Sequence, residues 1–221
     1  MHSYRLAGEK VAYWILSSLL VLAAAVSTAH GEWVSDSWIH LGAIHEMSRD
    51  FWSPVEPLVG EDVPFPYFSP WTAVAAVGVR LLSITPAQAL GVFAVVSPLV
   101  LVHSLYRLVR AVSPAPWAPV AVLTAFLTVW GTKAFFWSGF LSLNTLVIGS
   151  SWPSVLATAL WFYLWAAVWK STRLTRGLTA TLLIVPGVLL LIHPFTFLSA
   201  ATACAITVLL RWPRQRWLSG A

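Results

Sequence analysis

The chain has 221 residues, 58% of them hydrophobic and only 10% charged, with a mean hydropathy of +0.78 and a pI near 9.8. So little charge, combined with repeated apolar runs of bilayer length, excludes an ordinary soluble domain and points to an all-α, polytopic membrane protein. The basic residues stand at the ends of apolar runs, where they orient helices, so the net charge of +5 does not imply nucleic-acid binding, and the single Cys204 excludes an internal disulfide or a cysteine-based metal site.

The first apolar segment, 11–30, follows Arg5 and Lys10. Ser27-Thr28-Ala29 resembles a signal-cleavage site, but an apolar core of about 19 residues exceeds a signal peptide's and reads as an uncleaved anchor.

Seven of the eight acidic residues then fall between Glu32 and Asp62, and none follows. Residues 31–86 form a first outer loop with surface helices over about 36–50 and 68–84. In the first helix Trp38, Leu41 and Ile44, with His45 or Met47, make an apolar stripe suited to the membrane surface. Asp36 and His40 stand four apart and share a face at its opening. Asp36 is also a residue type that caps helices, and His40 and His45 are ordinary interfacial polar residues. Glu46, Arg49 and Asp50 read as a solvated ion-pair cluster. Glu61 and Asp62 follow Gly60 in a proline-rich, irregular stretch. Arg80 in the second helix favours the surface, since a charge at mid-membrane is costly.

The remaining apolar runs, 87–108, 115–132, 152–170, 177–195 and 197–212, complete about six spans. With 68–84 outside the membrane, ten of the 13 Lys and Arg residues lie on the cytoplasmic side and only Arg49, Arg80 and Lys133 outside. Both termini are then cytoplasmic in a single transmembrane domain over 1–221. Pro98 and Pro186 are expected to kink their spans. Trp33, Trp130, Trp152, Trp169, Trp212 and Trp217 fall near span ends as an aromatic belt. His193, before Pro194 at an outer span end, and Lys133 in the outer loop 131–154 are two candidates to meet an anion; His103 reads as a packing or hydrogen-bonding residue.

Taken together, the pattern resembles the GT-C superfamily of membrane glycosyltransferases, which includes lipid A aminoarabinose transferases, protein O-mannosyltransferases and actinobacterial arabinosyltransferases. A basic-flanked span leads to an outer loop that opens on an aspartate, with Asp36, His40, Ile44 and Met47 in the family's texture. Pro64-Phe65-Pro66-Tyr67-Phe68-Ser69-Pro70 then enters a juxtamembrane helix, and a later span ends in Tyr106-Arg107-Leu108-Val109-Arg110. The resemblance implies transfer of a sugar from a polyprenyl-phosphate donor to an extracytoplasmic acceptor at the cell membrane. It makes Asp36 the catalytic carboxylate and His40, Glu61, Asp62, Lys133 and His193 substrate-binding candidates. A divalent cation stays open as cofactor, with Asp36 as its ligand. The loop 131–154 holds no carboxylate, where many relatives have one, and the spans are fewer than theirs. The chain thus corresponds to an N-terminal portion, with a second membrane protein as the partner completing the fold. The alternative is a non-catalytic subunit binding a lipid-linked sugar or a partner protein, and third a transporter.

Overall fold

Hydroxyl caps and prolines divide the chain into helices. The computed structural model describes residues 2–31, 33–34, 36–129, 142–171 and 175–211, with side chains from 8 to 210 among these. Among the described residues there are nine helices and no strand: α1 (His2–Ala29), α2 (Ser37–Arg49), α3 (Pro70–Leu82), α4 (Pro86–Val112), α5 (Ala118–Thr128), α6 (Leu143–Ile148), α7 (Pro153–Lys170), α8 (Arg176–Ile192) and α9 (Pro194–Arg211). Ser69 caps α3 ahead of Pro70, and Thr85 with Gln88 makes a capping box ahead of Pro86 on α4. Ser142 caps α6 and Thr175 caps α8. Pro98 and Pro186 stand inside continuous helices.

Contacts fix the helix directions. Glu9 at the start of α1 faces Arg110 at the end of α4, and the Tyr13 hydroxyl donates to the Val102 carbonyl, so α1 and α4 are antiparallel. His103 of α4 bonds Tyr163 of α7, and Leu90 and Leu156 share one apolar cluster near the starts of these helices, so α4 and α7 run the same way. Trp165 of α7 donates to Thr207 of α9 at 2.9 Å, and the end of α8 brings Ile192 onto the same apolar cluster as Leu156. One end of the bundle therefore gathers the starts of α4, α7 and α9 with α2 and α3. The other gathers the starts of α1 and α8 with the ends of α4 and α7.

Charge divides along the same line. Among the described residues the first end carries Asp36, Glu46, Arg49, Asp50, Glu56, Glu61, Asp62 and Arg80. The other carries Glu9, Lys10, Arg107, Arg110, Lys170 and Arg176.

Packing between helices uses small side chains: Ala24, Ser97, Ser104, Ala157, Ala159 and Ala200 are buried, while Leu183, Ile184, Leu209 and Leu210 point outward. Small residues allow close helix approach, and outward aliphatics need an apolar surrounding. Among the described residues two helices, Gly8–Ala29 and Pro86–Val112, are long and apolar enough to cross a bilayer, whereas α3, α5, α8 and α9 are shorter apolar helices.

In α2, Ser37, His40, Ala43 and Ile44 are buried, while Trp38 is 62% exposed. A helix seated on the ends of others buries whichever face finds partners, and Ser37 and His40 find them. Trp152 is not a belt residue, since it is buried and donates to the Ser37 hydroxyl at 2.9 Å. The second part of the loop 131–154 is not a solvated outer connector: Ser142, Thr145, Ser150 and Ser151 are buried, and Leu146 of α6 joins the core beside Tyr13 and Leu20. Lys133, Trp130, Trp212 and Trp217 lie outside the described residues.

Candidate active site at the acidic end

Asp36 precedes α2 in helical conformation, and its backbone carbonyl accepts from His40 N–H at 2.9 Å. Its side chain forms no capping bond to the helix, so the ordinary structural role of an aspartate here is not the one it fills. The carboxylate stands close enough to Tyr67 to act on it. The phenol is pushed above its usual range first by burial and then by the Asp36 charge.

Tyr67 in turn packs edge-on to His40, with ring centroids 5.0 Å apart, and Trp71 packs on His40 at 5.1 Å. Trp71 meets Phe93 of α4 at 5.0 Å. His40 is 4% and Trp71 2% exposed, and His40 Nδ1 and Trp71 Nε1 lack hydrogen-bond partners. Burial lowers the His40 imidazole to about 4, with the positive form of His193 as second cause. At neutral pH it is therefore an uncharged donor and acceptor.

His193 ends α8 and begins α9. Its Nδ1 accepts from Thr196 N–H at 3.3 Å and lies 2.8 Å from the Thr196 hydroxyl, so the ring caps α9. With Nδ1 accepting, the neutral ring carries its proton on Nε2. Three loop or helix-end elements thus meet: Asp36 and His40 from α2, Tyr67 and Trp71 from the entry to α3, and His193 from the α8–α9 corner. The bond from Trp152 to Ser37 pins the start of α2 onto α7.

Glu61 and Asp62 are solvent-exposed on a turn closed by Glu56 N–H donating to the Glu61 carbonyl at 2.9 Å. Glu56 holds that turn from below, its carboxylate accepting from Leu58 and Val59 N–H at 2.9 and 2.6 Å. Asp50 is likewise structural, accepting from the N–H groups of Trp52 and Ser53, while Arg49 faces Glu46 at 3.7 Å. Among the described residues no three His, Cys, Asp or Glu side chains are grouped to hold a metal ion. Tyr67, Trp71 and Ser37 escape sequence reasoning because their partners come from distant elements. The aromatic density around Tyr67 and Trp71 was the one available signal.

The arrangement sets a half-buried carboxylate beside a protonated phenol and a neutral imidazole with aromatic walls, a group able to take a proton from a hydroxyl and to bond neutral polar ligands. No family model, curated protein or solved structure matches the chain.

Proposed function

We propose that the chain is a GT-C-like integral membrane glycosyltransferase, or its N-terminal module, moving a sugar from a polyprenyl-phosphate donor to an extracytoplasmic acceptor. The observation that carries this reading is the Asp36 carboxylate beside the buried His40–Tyr67–Trp71 cluster on the acidic end. In the reaction Asp36 takes the proton of an acceptor hydroxyl as its oxygen bonds the anomeric carbon; the bond from that carbon to the phosphate oxygen breaks and the lipid phosphate leaves as an anion. His40 and Tyr67 orient the sugar hydroxyls, and the His193 Nε2–H faces the leaving phosphate. Among the described residues Asp36 offers a cation a single carboxylate at this site, a poor fit to a resident metal.

The reading places α1, α4, α5, α7, α8 and α9 across the cell membrane as six spans, with both termini cytoplasmic and the bilayer as the first partner. The separation of basic from acidic ends and the outward aliphatics support it. The test is Asp36→Asn in the membrane-expressed chain, alone and with any membrane protein that completes the fold, supplied with a lipid-linked sugar. Transfer is expected to fall by about 10² or more at unchanged protein level; unaltered transfer would remove Asp36 from the chemistry.

A second reading, a non-catalytic subunit that binds a lipid-linked sugar, is favoured by how completely His40 and Trp71 are covered. Under it, the wild type and Asp36→Asn bind the donor alike and neither turns it over.

A further inference from the structure

A shallow, open groove of about 500 Å³ lies away from this site, along the outward face of α1, lined by Lys10, Val11, Trp14, Ile15, Ser18, Leu19 and Leu22. From Lys10 to Leu22 at 1.5 Å per residue it runs about 18 Å, close to the ~15 Å depth of one leaflet's hydrocarbon. At its polar end α4 stands beside α1. The Trp14 ring lies near-parallel to His103 of α4, centroids 6.2 Å apart, and meets Tyr106 at 5.7 Å. Lys10 is one turn before Trp14, and Arg107 one turn after His103. Because α1 and α4 are antiparallel, both cations fall on the same side of the Trp14–His103 stack, toward the basic end, and both are exposed.

Among the described residues neither cation has a carboxylate partner. Glu9, the one acidic residue at this end among the described residues, is buried (2% exposed) and faces Arg110 at 4.0 Å. Its charge is thereby turned inward, and Lys10 and Arg107 present theirs to the outside.

We propose that this groove is a binding site for one anionic phospholipid of the cytoplasmic leaflet. The phosphodiester lies between Lys10 and Arg107 with Trp14 beneath it, and one acyl chain follows Ile15, Ser18, Leu19 and Leu22. Two cations at headgroup depth favour an anionic over a zwitterionic lipid by charge, and the apolar floor of leaflet length selects a lipid over a free anion. The inference rests on the membrane reading and is independent of the transferase reading. A chain that stays in solution without detergent would mark failure of the membrane reading itself, before any lipid is added.

The experiment titrates the full chain in neutral detergent with phosphatidylglycerol or phosphatidylcholine and counts retained lipid by native mass spectrometry. One phosphatidylglycerol per chain is expected in preference to phosphatidylcholine, undisplaced by excess inorganic phosphate. Lys10→Gln and Arg107→Gln are each expected to weaken retention about fivefold. The control pair Lys170→Gln and Arg176→Gln, at the same end but off the groove, leaves it unchanged. Equal retention of the two lipids, displacement by phosphate, or the same loss in the control pair would overturn the proposal.

Discussion

Asp36 and His40 share one turn of helix yet meet opposite surroundings. The carboxylate stays half-buried at the edge, while the imidazole is enclosed by Tyr67 and Trp71. Enclosure has a pH consequence. Below about pH 6.5 the unfolded chain takes up a proton on His40 that the folded chain refuses until about pH 4. Stability from this group is therefore full above pH 6.5, falls between 6.5 and 4, and levels off below. The shift corresponds to about 3 kcal/mol. Thermal unfolding in detergent across pH 7 to 4 should show that decline in the wild type and a shallower one in His40→Phe, which keeps an aromatic ring in place; superimposable profiles would contradict the burial of a neutral imidazole. The spacing of Asp36 and His40 was legible in the sequence because it is local. What encloses His40 was not, because Tyr67 and Trp71 arrive from a separate, proline-rich segment.

Among the elements, α2 shows what periodicity leaves out. Its apolar stripe carries no sign that Ser37 and His40 are buried. The structure buries both, and the Ser37 hydroxyl is the partner of the Trp152 indole. That contact depends on the short turn before α7. A Cβ at Gly149 would stand 2.9 Å from both the Thr145 carbonyl oxygen and the Trp152 ring, so the turn accepts only glycine. Gly149→Ala is expected to displace Trp152 and lower stability by about 1–3 kcal/mol. In a double-mutant cycle it should share part of that cost with Ser37→Ala, since both act on one bond; strict additivity in thermal-shift measurements would separate the turn from the site. The long helices α1, α4 and α7 were readable from their apolar runs and flanking bases. The buried helix α6 was not, since six residues carry too little periodicity to distinguish from loop.

At the scale of the whole molecule, the acidic residues that cluster in sequence cluster in space, on one end of an all-helical bundle with Asp36 and His40 beneath them. Helix directions derived from side-chain contacts agree with the separation obtained by counting charge. Charge alone stops short of function because the carboxylates at the acidic end fill several roles, with Glu56 and Asp50 building loops. The central claim, that this acidic end faces out of the cell and the basic end faces in, is open to one direct measurement. The only native cysteine, Cys204, is buried, so single introduced thiols report with low background. In intact cells a membrane-impermeant maleimide should label Glu61→Cys, while Lys170→Cys should react only after permeabilisation. Labelling of both without permeabilisation, or the reverse pattern, would contradict the account.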